Sequence, residues 1–329
     1  MTTIKDIAKA CGVSPSTVSY ALSGRGTISE KTKTLIKETA KVLNYVPNAH
    51  ARGLKKKRSH KIAVFVPGFQ GAVHPTILAG IANVMRTNRV LYNLLVTFCD
   101  EEMTIVKDGS VDLAIVMDSN VTSDMIHTIA RHVPTILFDQ SAEGANVYNT
   151  TVKNTAAMAD MTERMIHKGL KRIGFLLGSS QSTHNALRYK GYLEALDKHG
   201  IPHDPSIIYD ADAFTEFKGH EAIERVLENT SKLPFDALVC CNDELAFGAI
   251  GALEAHGYNV PGDCLVSGFD NIDRARTFEP SLTTVAIDWY AYGQHMAHLA
   301  LDLLEGKPDA GSFEVGYDII ERTSTTSGD

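Results

Sequence analysis

The sequence lacks any apolar run long enough to span a membrane. Its 329 residues are 44% hydrophobic, yet no stretch reaches the roughly 18 consecutive apolar residues that a transmembrane helix needs. The amino terminus also lacks the charged segment and apolar core of a secretion signal. We therefore expect a cytoplasmic protein without membrane contact, long enough for a small head and one or two larger cores.

Metal-binding and catalytic motifs are also missing. There is no C-x-x-C pair, so we expect reduced thiols and no metal site. The nucleophile elbow G-x-S-x-G, the P-loop and the zinc motif H-E-x-x-H do not occur, which argues against an enzyme or a bound cofactor. The five cysteines stand in apolar surroundings and are Cys11, Cys99, Cys240, Cys241 and Cys264.

Positive charge is scarce outside the first 61 residues. That segment carries 13 Lys and Arg against 3 Asp and Glu, whereas the rest holds 19 basic and 36 acidic residues, so the overall charge of −7 hides two opposite parts. A basic head on an acidic body is typical of a phosphate-binding module joined to a part that should not itself bind nucleic acid.

The basic segment begins with two helix patterns separated by a glycine. Thr3 can cap the first helix, with Asp6 placed for a capping box. Gly12 stands where a left-handed residue ends a helix, and Ser14 and Pro15 are typical of the cap and first position of a second helix. The apolar stripe of the first helix is Ile4, Ile7, Ala8 and Cys11.

On a helical wheel the second helix turns small polar side chains and one tyrosine outward. Such a surface suits the major groove of DNA, although a merely solvated face is the alternative. The inward residues are Val18, Ala21 and Leu22, and the outward ones are Ser16, Tyr20 and Ser23, flanked by Thr17 and Ser19. A third helix is predicted after a Ser29 cap, with Leu35, Ile36, Thr39, Val42 and Leu43 inward.

A short linker with helical potential follows, from Pro47 to Leu54, and ends in the basic run 55–58. Two turns with an internal glycine are too short to hold a helix alone in water, so we expect it to fold against a partner. Leu54 could then wedge into a minor groove beside phosphate-bound lysines. A plain flexible tether remains the alternative.

The remaining chain alternates short apolar runs with helical stretches, which predicts doubly wound α/β layers with parallel sheets. The runs that read as buried strands are residues 62–66, 94–98, 113–117, 135–138, 173–177, 237–241 and 265–269. Ligands in such sheets bind beyond the carboxyl ends of the strands. Polar residues that can hold hydroxyl groups stand there, although helix capping is the alternative for the Asn and Asp residues. These residues are Asp139, Gln140, Asn242, Asp243, Asp270 and Asn271, with Arg188 opening a helix.

Taken together, the motifs resemble the LacI/GalR family of bacterial transcription regulators over nearly the whole chain. The matching strings are Ile4-Lys5-Asp6-Ile7-Ala8, Gly12-Val13-Ser14, Thr17-Val18-Ser19, Leu43-Asn44-Tyr45-Val46-Pro47-Asn48, Arg188-Tyr189-Lys190-Gly191-Tyr192, Asn242-Asp243-Glu244-Leu245-Ala246, Gly268-Phe269-Asp270-Asn271 and Leu282-Thr283-Thr284-Val285. The resemblance implies a homodimer that reads a palindromic operator, and a two-lobed body like periplasmic sugar-binding proteins.

It also implies domain limits. Residues 1–46 form an all-α helix-turn-helix head, 47–60 a hinge helix with a basic linker, and 61–329 the effector-binding and dimerisation domain. Within that domain, lobe 1 takes about 61–150 and 287–312, and lobe 2 about 151–286 and 313–329.

Residue roles carried over from the family fall into three groups. Base-reading positions are Pro15, Ser16 and Tyr20, and backbone or groove positions are Thr3, Ser14, Thr17, Ser19, Ser23, Thr27 and Ser29. The minor-groove positions of the hinge are Ala51 and Leu54. Effector-facing positions are Asp139, His184, Arg188, Asn242 and Asp270, and Trp289 could stack on a sugar or simply pack between the lobes.

The chain departs from the family at three places. Tyr20 replaces a common arginine, so a bidentate guanine contact is lost. The segment 100–111 is short, which predicts a trimmed helix in lobe 1. Lys153 replaces a common aspartate, which indicates either an anionic effector or a surface ion pair.

We therefore predict a ligand-responsive repressor of carbohydrate-related genes, released by a small sugar-type effector. The alternatives are a corepressor-dependent regulator with a nucleobase or sugar phosphate effector and, less favoured, a solute-binding receptor. A receptor would need export and would not need the basic head.

Overall fold

A computed structural model describes residues 2–23, 27–45, 59–87, 92–100, 103–180, 182–307 and 309–326, except for the side chain of Ser23. The chain divides into two compact units, Met1–Ser59 and His60–Asp329. The expected hinge residues Ala51 and Leu54 lie outside the described residues. Among the described helices, none combines the length and apolar character that a membrane crossing requires.

Three helices make up the described part of the first unit, which we call the head. They are α1 (Ile4–Cys11), α2 (Pro15–Ser23) and α3 (Glu30–Val42). Their core consists of Ile7, Ala8, Val18, Ala21, Ile36 and Ala40. The predicted inward stripe of α3 is wrong in part, because Leu35 is 47% and Val42 80% exposed. Ile36 lies in the core as predicted, together with Ala40, which the predicted stripe did not include.

The second unit, which we call the body, contains two six-stranded sheets. The first sheet has the order β11-β5-β4-β3-β1-β2 and the second β12-β10-β9-β8-β6-β7. All strand pairs are parallel except β10 with β12. The strands of the first sheet are β1 (Lys61–Phe65), β2 (Asn93–Thr97), β3 (Leu113–Val116), β4 (Thr135–Phe138), β5 (Val147–Val152) and β11 (Phe313–Val315). Those of the second are β6 (Ile173–Leu177), β7 (Ile208–Asp210), β8 (Ala237–Cys240), β9 (Leu265–Asp270), β10 (Thr283–Ala286) and β12 (Asp318–Ile320).

Helices pack around both sheets, as the alternating pattern predicts. The helices of the body are α4 (Val73–Thr87), α5 (Thr104–Lys107), α6 (Ser123–Ala130), α7 (Asn154–His167), α8 (Thr183–Lys198), α9 (Glu216–Glu228), α10 (Asp243–Ala255), α11 (Arg274–Thr277) and α12 (Trp289–Glu305). A 3-10 turn spans Pro205–Ile207. The trimmed helix expected in 100–111 is α5, with a single turn. Helices α4 and α12 pack with their backbones in close contact at Gly80. A Cβ at this position would lie only 2.1 Å from the Tyr290 carbonyl oxygen, so a side chain there would clash.

The assignment of residues 313–329 entirely to lobe 2 is wrong. Strand β11 pairs in parallel with β5 in the first sheet, so the chain changes sheet only between Val315 and Asp318. Strand β5 likewise continues to Val152, two residues beyond the expected limit. Short strands without a continuous apolar run carry no local sign of the sheet they join. Pairing with a neighbour, rather than pattern, decides their place.

Candidate functional site

The head presents its predicted contact residues at the surface. Thr3 donates through its backbone N–H and its hydroxyl to the Asp6 carboxylate, each at 2.8 Å, which builds the predicted capping box. Gly12 ends α1 at φ 66°, in the left-handed region. The Ser14 hydroxyl accepts from the Thr17 backbone N–H at 3.1 Å and therefore caps α2. These local bonds fix the turn between the two helices.

Exposure separates the predicted DNA-contacting residues into two groups. The exposed ones are Thr3, Ser14, Pro15, Ser16, Tyr20, Thr27 and Ser29, and the half-buried ones are Thr17 and Ser19. Ser29 accepts from the Thr32 backbone N–H at 3.3 Å, so it caps α3 as predicted. The side chain of Ser23 lies outside the described part of the chain.

A cavity of about 420 Å³ lies within the body, lined by residues from both sheets and their helices. Its size is typical of a small-molecule site. The lining includes all five predicted effector-facing residues and Trp289: Asp139, His184, Arg188, Asn242, Asp270 and Trp289. The topology thus gathers residues spread over 150 positions at the carboxyl ends of the strands.

Asp139 follows β4 and connects the two lobes. Its backbone is left-handed, at φ 45°. Its carboxylate accepts from the Asn154 amide at 2.9 Å and the Val152 N–H at 3.0 Å, and it contacts Nδ1 of His184 on α8. Burial alone would raise the pKa of Asp139, but the His184 charge and these hydrogen bonds outweigh it and hold the pKa below its usual value. The Asp139–His184 contact therefore joins lobe 1 to lobe 2.

Arg188 is buried on α8 and holds three partners. Its Nε donates to Asn154 at 2.9 Å, Nη1 to the Cys241 carbonyl at 2.7 Å, and Nη2 to Asp270 at 3.4 Å. The guanidinium also lies 3.6 Å from the ring centroid of Phe269. Two of its five N–H groups remain for a ligand. Burial raises the pKa of Asp270 to about 6, although Arg188 and His184 act in the opposite direction.

Asn242 caps the start of α10, which is the alternative role considered for it on the sequence. Its amide oxygen accepts from the Leu245 N–H at 3.0 Å, and its amide nitrogen donates to the Phe214 carbonyl at 3.2 Å. The next residue, Asp243, is fully buried, which raises its pKa well above the usual value. Asp243 accepts from the Thr284 hydroxyl and, at 2.9 Å, from the Ile272 N–H. Asn242 therefore keeps one amide hydrogen for a ligand.

Trp289 both packs and lines the cavity. Its indole nitrogen donates to the Asp270 carbonyl at 3.1 Å, from α12 in lobe 1 to β9 in lobe 2. Its ring centroid lies 6.0 Å from that of Phe138, which is also 6.1 Å from the His184 ring. An apolar wall with aromatic faces suits the underside of a sugar ring or a planar base.

Several lining residues escaped the sequence analysis. Asp243 was predicted at a strand end, whereas Glu244, the residue after it, and the segment 70–74 after β1 were not, although the rule of strand ends could have found them. Phe214 has no such sign, since it lies in a loop. Burial and the His184 charge lower the pKa of His74, which favours its neutral form. The missed residues are Gln70, Gly71, Ala72, Val73, His74, Phe138, Phe214, Thr215, Glu244 and Ile272.

Lys153 takes part in a surface ion pair. Its Nζ lies 3.8 Å from the Glu314 carboxylate, and both side chains are about half exposed. Lys153 is absent from the cavity lining. The geometry therefore agrees with the ion-pair interpretation of this departure rather than with a cation for an anionic effector.

One group among the described residues has metal-ligand spacing, away from the cavity. Ligand atoms of Glu163, His167 and His199 lie within 4.8 Å of one another. One oxygen of Glu163 already pairs with Lys198 at 2.7 Å. The cysteine spacing on which we expected no metal does not bear on these residues, because Glu163 and His167 lie on α7 and His199 directly follows α8.

Comparison with known proteins identifies both parts of the chain. The profile for bacterial regulatory proteins of the lacI family matches residues 3–48, and that for a periplasmic binding protein-like domain matches 162–325. The HTH-type transcriptional regulator RegA of Clostridium saccharobutylicum is 32% identical, covering 98% of this chain and 99% of its own. Catabolite control protein A of Priestia megaterium is 30% identical, covering 88% and 89%.

Solved structures share the fold. The Lac repressor dimer bound to operator and the anti-inducer ONPF has a TM-score of 0.85 at 22% identity, with 99% of both chains covered. The transcriptional regulator CelR in complex with cellobiose has a TM-score of 0.72 at 23% identity, covering 98% of this chain and 100% of its own.

Proposed function

The chain belongs to the LacI family of bacterial transcriptional regulators, and on that premise we propose that it is a homodimeric repressor released from a palindromic operator by a small sugar-type effector without a phosphate group. The observation that carries the effector part is the cavity of the body, where hydroxyl-binding side chains from both lobes converge. A protein that acts on operator DNA works in the cytoplasm, which is the expected location. The same family assignment argues against an enzyme.

The head supports DNA binding through charge and shape. Thirteen basic residues in the first 61 favour phosphate contacts, which contribute affinity without sequence preference. Pro15, Ser16 and Tyr20 are exposed at and near the start of α2, the part of a recognition helix that meets base edges. The residues Ala51 and Leu54 would add a minor-groove contact in the same proposal.

The charges around the cavity favour a sugar without a phosphate group over a sugar phosphate. Arg188 is the only Lys or Arg among the described lining residues, and its charge is already balanced by Asp270. Lys153 pairs with Glu314 instead. A phosphate would therefore meet carboxylates without a free cation, which is unfavourable in a partly buried site. Carboxylates and amides that hold paired hydroxyls fit a sugar better.

Coupling between cavity and operator follows from contacts that cross the lobes. Asp139–His184 and Trp289–Asp270 join lobe 1 to lobe 2 directly across the cavity. An effector that replaces or reinforces these contacts changes the relative stability of lobe arrangements, and only such differential affinity can shift the equilibrium. Coupling of about 1–3 kcal/mol would weaken operator binding by roughly 5- to 150-fold.

Selection of bound duplexes from a random pool, followed by fluorescence anisotropy with and without a sugar panel, tests the proposal. We expect a palindromic consensus and weaker binding with one sugar. Tyr20→Ala should relax the preference at one base pair of each half-site, by less than the roughly 1–3 kcal/mol of discrimination that a bidentate contact contributes. Val42→Ala, on the exposed face of α3, is the matched control and should leave the consensus unchanged.

Two results would contradict the proposal. Equal affinity for the selected palindrome and random duplex at moderate salt would remove the repressor function. Tighter operator binding with the effector would instead support the corepressor alternative.

A further inference from the structure

Four carboxyl groups line the cavity, and three of them have partners. Asp139 is held by His184, Asn154 and the Val152 N–H. Asp270 faces Arg188 at 3.4 Å, and Asp243 accepts from Thr284 and Ile272. The fourth is Glu244, at the second position of α10, which has neither a hydrogen bond nor an ion pair from its side chain in the described part of the chain.

Arg274 is the cation whose charge lowers the pKa of Glu244, but its guanidinium binds another carboxylate. Arg274 donates through both terminal nitrogens to the Glu216 carboxylate, at 3.0 Å for one of them. Its guanidinium also lies over two rings, 4.7 Å from the centroid of Phe247 and 5.1 Å from that of Phe278. Because pairing and stacking fix Arg274 on Glu216, it forms no ion pair with Glu244 and acts on that carboxylate only from a longer distance.

Glu244 also reaches towards the opposite lobe. Its Oε1 lies 3.7 Å from the position of a Cβ on Gly71, in the loop after β1. Gly71 has φ 76°, so a side chain there would be strained. The backbone of this loop therefore lies close to the Glu244 carboxylate, and both line the cavity.

The surroundings of Glu244 disfavour its ionised form as long as no cation binds the carboxylate. Burial and the neighbouring Glu216 raise its pKa, and Arg274 offsets this only partly. A carboxylate in the first turn of a helix is often placed there for the helix dipole alone. The dipole stabilises a negative charge at the start of α10 but supplies no cation on the cavity side. A cation supplied by a ligand would satisfy the group.

We propose that Glu244 binds a protonated amino group of the effector, so that the cavity selects an amino sugar over the neutral parent sugar and its phosphate. This deepens the proposed function and rests on it for the role of the ligand. In this arrangement Arg188 and Asn242 bind hydroxyls with their remaining N–H groups, the aromatic wall supports the ring, and Glu244 reads the amine.

The test uses the full chain and matched probes. Glucosamine, galactosamine and mannosamine are each compared with the parent hexose, the N-acetyl derivative and the hexosamine 6-phosphate, by thermal shift and calorimetry at pH 7. We expect one hexosamine to bind about tenfold or more tightly than its parent sugar, as one charge-assisted hydrogen bond allows. The N-acetyl derivative, which lacks the charge, should lose this advantage, and the phosphate should bind more weakly than the free hexosamine.

Glu244→Gln keeps the size of the side chain and removes its charge. It should equalise the affinities of the hexosamine and the parent sugar, whereas Glu254→Gln, at the exposed far end of the same helix, should leave the preference unchanged. Equal affinities in the wild type, an unchanged preference in Glu244→Gln, or no binding of any hexosamine would overturn the inference. Operator affinity without ligand is measured in parallel. Loss of operator specificity with an intact hexosamine preference would refute only the repressor function.

Discussion

The head and the body place their polar side chains in opposite ways. In the described part of the head, every fully buried residue is apolar, and the predicted DNA-contacting side chains are exposed or half buried. The body instead buries charged residues, among them Asp139, Arg188, Asp243 and Asp270, and gives each a partner. The head therefore presents its polar side chains at the surface, where a large partner can bind, whereas the body holds its polar side chains around an internal cavity.

The contrast has an energetic side. Exposed hydroxyls and lysines remain solvated until DNA arrives, so they contribute little to the stability of the head. Buried charges must be paired within the protein, because an unpaired one would destabilise the fold. Preorganised partners then hold the effector-facing groups in place before a ligand binds. The largest effects of polar mutations should therefore fall in the body, and those of apolar mutations can be equally large in the head.

The strongest expected effect is that of Arg188→Ala. It leaves Asp270 and the Asn154 and Cys241 acceptors without their donor, so we expect a loss of about 3–5 kcal/mol in the free energy of unfolding, with loss of effector binding. Urea unfolding of the full chain measures it. Arg172→Ala is the matched control, because the Arg172–Asp236 pair is half exposed and should contribute less than about 1 kcal/mol. Equal losses would erase the contrast between buried and exposed charge.

Two neighbouring apolar residues sharpen the comparison within the head. Ile36→Ala removes a buried side chain and should cost about 2–5 kcal/mol, enough to unfold so small a core and abolish operator binding. Leu35→Ala changes a half-exposed residue and should stay within about 0.5 kcal/mol. Hydrogen exchange of head peptides in the full chain measures both. Similar protection losses would place Leu35 in the core after all.

One carboxyl group in each unit should respond to pH with opposite sign, Asp270 in the body and Asp6 in the head. The pKa of Asp270, raised to about 6, means that the folded body binds its proton more tightly than the unfolded chain. The stability contribution is therefore present at low pH and lost as the pH rises through 6, on the order of 1–3 kcal/mol. Urea unfolding at pH 4.5 to 7 should show this fall in the wild type relative to Asp270→Asn. Parallel curves would contradict it.

In the head, Asp6 provides the opposite case. Hydrogen bonds from the Thr3 side chain and backbone lower the pKa of this exposed carboxylate. Its contribution is therefore present above the unfolded pKa and lost as the pH falls through the lowered value. Hydrogen exchange of the head peptides at pH 5 and pH 3 should report the loss, and Asp6→Asn should remove it.

The smallest effect is expected for Lys153→Ala. The Lys153–Glu314 pair spans 3.8 Å between half-exposed side chains, so its loss should change the free energy of unfolding by at most about 1 kcal/mol. Thermal unfolding measures it. A larger loss, or a marked change in effector affinity, would mean that the pair acts in the movement between the lobes rather than as a surface contact.

Local chemistry made some features predictable. The capping residues Thr3, Ser14 and Ser29 and the terminating Gly12 act on their immediate neighbours, so their roles follow from spacing alone. Continuous apolar runs likewise predicted β1, β3, β4, β6, β8 and β9 to within one or two residues. Strands β7, β11 and β12 escaped because each has three residues and no apolar run.

Candidate site residues divide in the same way. Asp139, Asn242 and Asp270 were predictable because they stand directly at strand ends. Other features depend on which side chains meet across elements. The Asn242 amide caps α10 and donates to the Phe214 carbonyl. Arg274 pairs with Glu216, which leaves Glu244 without an ion pair among the described residues. No spacing in the chain contains that information.

The amino-acid sequence by itself determined the helix starts and stops of the head, the segregation of charge and the strands that form continuous apolar runs, because these follow from the residues themselves and from neighbours within a few positions. Tertiary structure alone decided which sheet β11 joins, which face of α3 is buried, and which cavity carboxylate stays unpaired. The reason is physical: burial and pairing are properties of contacts between distant segments, and they exist only once those segments have packed.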